Sequence, residues 1–210
     1  MTRVKICGIT NVADALAAIE AGAEMLGFNF YRRSPRYVSP ADVRRIVAEV
    51  PADVVCVGVF VNEEGPEVVR RLTAEAGLGA AQLHGAETPE FCDGLGGLWK
   101  IKALRVGADF NPEEAARFKT DALLLDAYVP GEWGGTGRTF DWDVARRTRG
   151  LAPRLILAGG LTPSNVAAAV RGVGPYGVDA CSGVEVAPGR KSPELMRRFV
   201  AAVRAADAGA

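Results

Sequence analysis

The stretch from Arg3 to Phe30, RVKICGITNVADALAAIEAGAEMLGFNF, carries two hydrophobic patterns in succession. Arg3–Cys7 and Met25–Phe30 are short, largely apolar runs of the kind that form strands buried on both faces. Between them, Val12–Glu20 repeats apolar residues at helical spacing behind a Thr10-Asn11 start signal. Strand, helix, strand within one such stretch is a βαβ unit, which demands a parallel sheet.

Reading outward, the pattern continues to the end of the chain. Further apolar runs occur at Val54–Val61, Ala80–Leu83, Trp99–Leu104, Ala122–Leu125, Arg154–Ala158 and Gly177–Cys181, making eight. Helical stretches follow each. Proline stands at or near the first helical position after Ser39, Gly65, Thr88, Asn111, Thr162 and Ser192, where its missing N–H costs nothing. A further helix is expected over Asp141–Arg147, and the residues after Arg204 are expected to fray. Eight β-then-α units in 210 residues average about 26 residues each. The predicted fold is α/β, a single (β/α)8 TIM barrel of near-minimal length spanning 1–210. An open doubly wound sheet is the alternative. It usually has fewer strands and a GxGxxG turn after the first, whereas the first strand here runs into CGIT.

Composition narrows the function. The chain has 25 Lys plus Arg against 25 Asp plus Glu, so no net charge draws it to nucleic acid, and any anion must be held locally. No apolar run is long enough to span a membrane, and no secretory leader is visible in MTRVKICGIT. The four cysteines form no CxxC pair, so thiols and a cytoplasmic location are expected. One histidine cannot build a histidine metal site, and no metal is expected.

Barrel active sites lie at the C-terminal ends of the strands. Cys7 ends the first run, a position open equally to a buried small hydrophobe or a thiolate base, with Lys5 close by in the chain. The second run leads into Arg32, Arg33 and Arg36, whose guanidinium groups suit an anionic substrate group. His84 follows the fourth run as a substrate ligand or a structural residue. Asp126 follows the sixth; a carboxyl there is costly unless used or paired, and a protonated one can act as a general acid. Gly134-Gly135-Thr136-Gly137 lacks the P-loop pattern and reads as a mouth-lining turn or lid. Gly159-Gly160 and Ser182-Gly183 follow the seventh and eighth runs, where glycine-rich turns and helix starts form the recurrent phosphate site of such barrels.

Taken together, VKICGIT (Val4–Thr10), SPRYVSP (Ser34–Pro40), VGVFVN (Val57–Asn62), QLHG (Gln82–Gly85), LLLD (ending at Asp126), GGTGRTFDW (Gly134–Trp142), AGGLTPSNV (Ala158–Val166) and GVDACSGVE (Gly177–Glu185) closely resemble the phosphoribosylanthranilate isomerase family of tryptophan biosynthesis. The resemblance implies a cofactor-free Amadori rearrangement of an anthranilate N-linked to ribose 5-phosphate. It also implies Asp126 as acid, Cys7 as base, Arg36 as ligand of the anthranilate carboxylate, and Gly159, Gly160, Ser182 and Gly183 as phosphate cradle. His84 joins them as a substrate-binding residue. The expected partner is a phosphorylated small molecule, with no nucleic acid or membrane, on a monomer or homodimer. Two departures from the family pattern stand out: Cys181 and Ser192 occupy positions where serine and aspartate, respectively, are common. Another phosphate-binding barrel enzyme, such as an indole-glycerol-phosphate synthase, would need a strand-end lysine, for which Lys5, Lys100 and Lys102 are the candidates. A non-catalytic phosphate-binding barrel would need neither acid nor base.

Overall fold

The structure, a computed structural model, describes residues 1–127, 142–152 and 154–209. Eight parallel strands close into a barrel in chain order: β1 (Arg3–Cys7), β2 (Met25–Asn29), β3 (Val55–Phe60), β4 (Ala80–Leu83), β5 (Trp99–Val106), β6 (Ala122–Ala127), β7 (Leu155–Leu157) and β8 (Gly177–Ala180). β1 pairs with both β2 and β8, which closes the ring. The predicted barrel is therefore the fold.

The helices outside it are α1 (Val12–Glu20), α2 (Pro40–Val47), α3 (Pro66–Glu75), α4 (Pro89–Asp93), α5 (Trp142–Arg149), α6 (Val166–Val173) and α7 (Pro193–Ala208). Their starts are set locally. Asn11, Ser39, Thr88 and Ser192 each accept a hydrogen bond from the backbone N–H three residues on, which satisfies a donor the helix leaves orphaned. Ser192 thus caps α7 as aspartate would.

Strand side chains alternate between two cores. One face packs against the helices through residues such as Leu26, Phe28, Leu83 and Leu123. The other fills the barrel with small or branched residues, among them Val57, Ala80, Ile101, Leu124 and Ile156. Cys7, Gln82, Asp126 and Asp179 fall on this inner face by the same period of two. They lie toward the C-terminal ends, so the upper layer of the interior is polar.

The structure corrects several expectations. The fifth and sixth strands run two residues further than the apolar runs, because Arg105–Val106 and Asp126–Ala127 continue the ladder in register; Asp126 therefore lies within β6. The segment after β5 is a 3-10 helix, Pro112–Arg117. The helix continues past Arg204 to Ala208 instead of fraying: Ala206 is buried, and Asp207 accepts from the Thr2 N–H and hydroxyl at 2.8 and 2.7 Å. A hairpin of β9 (Glu185–Ala187) and β10 (Arg190–Lys191) follows β8 and had no strand-like signal in the sequence. The expected lid turn Gly134-Gly135-Thr136-Gly137 lies outside the described residues.

On the outer side of β5, Lys102 is 2% exposed and donates to the Leu83 and Gly85 carbonyl oxygens at 3.2 and 2.8 Å and to Glu87 at 2.8 Å. The Glu87 carboxylate also accepts from the Asn62 and Gly85 N–H groups. This clamp fixes the turn that carries His84. Removing one partner strands a buried charge, so Glu87→Ala is expected to cost about 3–5 kcal/mol, read as a fall in the urea midpoint at unchanged slope.

Candidate active site

A cavity of about 320 Å³ opens at the C-terminal end of the barrel. It is lined by all eight residues expected from the sequence: Cys7, Arg36, His84, Asp126, Gly159, Gly160, Ser182 and Gly183. Strand ends supply the first and fourth of these elements; the loops after β2, β4, β7 and β8 supply the rest.

Cys7 is the last residue of β1 and is 9% exposed. A side chain on Gly27 of the adjacent strand would place its Cβ 2.7 Å from the Cys7 sulfur, so glycine there makes room for the thiol. The Cys181 thiol donates to Cys7 and holds it well below the usual thiol range, against the opposing effect of burial. The positive charges of Lys5 and Lys191 act in the same direction, as does His84. The same hydrogen bond, with burial, pushes Cys181 far up. Of the two sulfurs, Cys7 is the one held toward the thiolate and Cys181 the one held toward the thiol.

Beneath Cys7 on the inner face, Lys5 donates to Asp179 Oδ2 at 3.1 Å, with both groups buried. Burial opposes the Lys5 charge, but Asp179 and Cys7 outweigh it and hold the ammonium above its ordinary range. Burial pushes Asp179 up to about 7 in spite of Lys5, and its Oδ1 is buried with no partner among the described residues. Lys5 is thus a fixed positive charge under Cys7.

Asp126 is 4% exposed. Gln82 Nε2 lies 2.9 Å from His84 Nδ1, and His84 Nε2 lies 3.1 Å from Asp126 Oδ2. With the Gln82 amide nitrogen oriented toward the ring, Nδ1 accepts and Nε2 is the donor that faces Asp126. Both ring nitrogens are committed, which makes His84 a partner of the carboxyl before any ligand arrives. Asp126 Oδ1 is turned toward the Gly159 loop: a Cβ on Gly159 would lie 3.0 Å from it and 2.5 Å from the Ala127 nitrogen. With φ of +80°, Gly159 is also in a conformation that side chains disfavour.

At the other rim, Arg36 forks onto Glu185, with Nε–Oε1 at 2.9 Å and Nη2–Oε2 at 2.7 Å. Lys191 donates to the same carboxylate at 2.8 Å. Glu185 is therefore shared by two cations, Arg36 from the loop after β2 and Lys191 from its own hairpin, β9–β10. The Arg36 guanidinium is pinned through one edge; two of its five N–H groups are used this way.

The two glycine turns meet across the mouth. A Cβ on Gly183 would collide with the Leu161 carbonyl oxygen, so the loop after β8 packs directly on the loop after β7. Asn165 ties the latter: its amide donates to the Gly160 carbonyl at 2.9 Å and its Oδ1 accepts from the Thr162 N–H at 2.8 Å. Backbone N–H groups in such turns, next to the start of α6, offer a site to a dianion.

Sequence reading missed Gln82, Asp179, Glu185 and Lys191. Gln82 and Asp179 share the inner-face period of Cys7 and Asp126, and that period was the signal that could have found them. Glu185 and Lys191 carried none, since their meeting depends on the hairpin. Among the described residues no group of three or more His, Cys, Asp or Glu could hold a metal ion, and no helix is long and apolar enough to cross a membrane.

Residues 4–202 match the profile of the N-(5′-phosphoribosyl)anthranilate isomerase family. An N-(5′-phosphoribosyl)anthranilate isomerase of Citrifermentans bemidjiense is 51% identical over 201 residues, 96% of each chain. A structure of monomers generated from the dimeric enzyme of Thermotoga maritima superposes with a TM-score of 0.88 at 41% identity, covering 98% of this chain and 100% of that one. A phosphoribosylanthranilate isomerase in complex with reduced 1-(o-carboxyphenylamino)-1-deoxyribulose 5-phosphate gives a TM-score of 0.86 at 41% identity, with 98% and 100% coverage.

Proposed function

The chain belongs to the N-(5′-phosphoribosyl)anthranilate isomerase family, and on that premise we propose that Asp126 is the general acid and Cys7 the general base of its reaction. The enzyme converts N-(5-phosphoribosyl)anthranilate to 1-(2-carboxyphenylamino)-1-deoxyribulose 5-phosphate in tryptophan biosynthesis. The observation that carries the assignment is the pairing, in one cavity, of a cation-flanked cysteine whose ionisation is favoured and a histidine-bound carboxyl.

The rearrangement needs one proton delivered to the furanose ring oxygen and one removed from C2′. His84 donates to Asp126 Oδ2, so the transferable proton is assigned to Oδ1, on the Gly159 side of the carboxyl. Its delivery breaks the C1′–O4′ bond and leaves a Schiff base. Cys7 thiolate then takes the C2′ proton, and the resulting enolamine relaxes to the ketone. The substrate gains and loses one proton, so the net change is an isomerisation. Acid and base are reset through solvent.

The 5-phosphate is placed on the Gly159-Gly160 and Ser182-Gly183 turns. This leaves Arg36 for the anthranilate carboxylate, with the guanidinium N–H groups that Glu185 does not take. Arg36→Ala is expected to raise KM by about tenfold or more with a smaller change in kcat, since a bidentate charged contact contributes roughly 1.5–3 kcal/mol. An unchanged KM would remove Arg36 from the substrate.

The activity itself is tested by mixing purified protein with freshly made phosphoribosylanthranilate and following the loss of substrate fluorescence. Fluorescence that decays no faster than in buffer would overturn the reading. A cytoplasmic monomer or homodimer is the expected form, and its mass in solution distinguishes the two.

A further inference from the structure

We propose that Cys7 and Cys181 form an oxidative modification site, in which a peroxide joins them as a disulfide between the end of β1 and the residue that follows β8 and so blocks the base. The inference rests on the reading of Cys7 as that base. The geometry is set by register. The β1–β8 ladder ends with Ile6 on Ala180, and Cys7 and Cys181 are the next residue on each side. Paired strands lie about 4.8 Å apart, within the roughly 4.4–6.8 Å Cα separation that a disulfide bridges, and the Cys181 sulfur comes within 3.2 Å of where a Cβ on Gly8 would stand. Each thiol acts on the ionisation of the other, lowering Cys7 and raising Cys181. Both line the same open cavity, through which a molecule the size of hydrogen peroxide reaches them.

The surroundings favour reaction here over the other cysteines. Lys191 Nζ lies 3.9 Å from the Cys181 sulfur and donates to the Cys181 carbonyl at 3.2 Å, while Lys5 sits against Cys7. Cations beside a thiol favour the thiolate, which is the form that attacks peroxide. Burial instead pushes Cys56 and Cys92 up to about 11, leaving them protonated and slow. The chemistry balances. Cys7 thiolate attacks the O–O bond and takes one oxygen as a sulfenic acid, releasing hydroxide. The Cys181 thiol then attacks that sulfur, forms the S–S bond and expels water. Once the hydroxide takes a proton from solvent, one peroxide has become two waters while a thiolate and a thiol have become one disulfide.

The resident Cys181 thus acts as a resolving thiol. It traps the first oxidation product before a second peroxide carries Cys7 to the sulfinic acid, which thiols do not reverse.

The test treats the full-length, substrate-free enzyme with a slight excess of hydrogen peroxide. Turnover, intact mass and disulfide-mapped peptides are followed in parallel. Expected is a loss of turnover of more than about tenfold that dithiothreitol restores, a mass lower by two hydrogens, and a Cys7–Cys181 cross-linked peptide. In Cys181→Ser the same treatment should give a Cys7 sulfenic acid that dimedone labels, passing with more peroxide to a form dithiothreitol cannot rescue. Because the wild-type mapping needs no variant, a poorly folded Cys181→Ser leaves the test intact. Wild-type protein that keeps both thiols, gains oxygens instead, or links Cys56 or Cys92 overturns the pairing while leaving the base assignment standing. A Cys7–Cys181 disulfide that forms with turnover intact overturns the base assignment, and with it the block.

Discussion

Asp126→Asn is expected to lower kcat by about two to four orders of magnitude while leaving the fold and KM nearly unchanged, the usual span for a lost general acid. The substitution is close to isosteric. Its carbonyl oxygen still accepts from His84 Nε2, so the Gln82–His84 chain keeps its partner. What disappears is a proton that an oxygen can release. The amide cannot deliver one to the furanose oxygen, and ring opening would have to rely on water. Steady-state kinetics together with thermal unfolding check this. A variant that turns over like the parent would remove Asp126 from the chemistry, whatever its position in the cavity.

Cys7→Ser is expected to cost about a thousandfold or more in kcat/KM, because a hydroxyl ionises far above a thiol and the replacement cannot hold a negative charge near neutral pH. The sulfur at this position is tuned. The Cys181 hydrogen bond and two flanking ammonium groups hold Cys7 well below the ordinary thiol range. A base works in its deprotonated form, so kcat/KM falls as pH drops through the pKa of Cys7. Because that value is depressed, the fall should come below the ordinary thiol range and leave the enzyme active at neutral pH. A wild-type profile whose acid limb sits at the ordinary thiol value would contradict the proposed environment. A Cys7→Ser variant with near-parental activity would remove the base.

Much of this architecture was legible before any coordinate. The βαβ unit at Arg3–Phe30 sets a parallel sheet, and its repetition eight times closes a barrel. Helix starts could be read because Asn11, Ser39, Thr88 and Ser192 cap through their own side chains, a local interaction that needs no distant partner. Candidate chemistry was legible for a related reason. In this fold strand ends converge at one rim, so Cys7, His84, Asp126 and the glycine turns, though scattered along the chain, had to meet.

Other features depend on contacts that no local pattern encodes. The chain end docks because Asp207 reaches Thr2, more than two hundred residues away in sequence. Arg36 was chosen for its charge and its place after β2, yet its orientation comes from Glu185, carried by a hairpin that follows β8. His84 was expected to touch substrate; the structure directs both of its nitrogens into the protein, and only the partner on each side fixes its tautomer.

The opening strand shows the division most clearly. Sequence alone placed Cys7 at the end of β1 and so at the barrel mouth, but left it open between a buried hydrophobe and a base. Tertiary structure supplied the surroundings that favour the base. Closing the barrel set β8 beside β1, which brought Cys181 and Asp179 alongside Cys7 and Lys5. The ionisation of a buried thiol depends on the charges and donors within a few ångströms, and those arrive from strands at opposite ends of the chain.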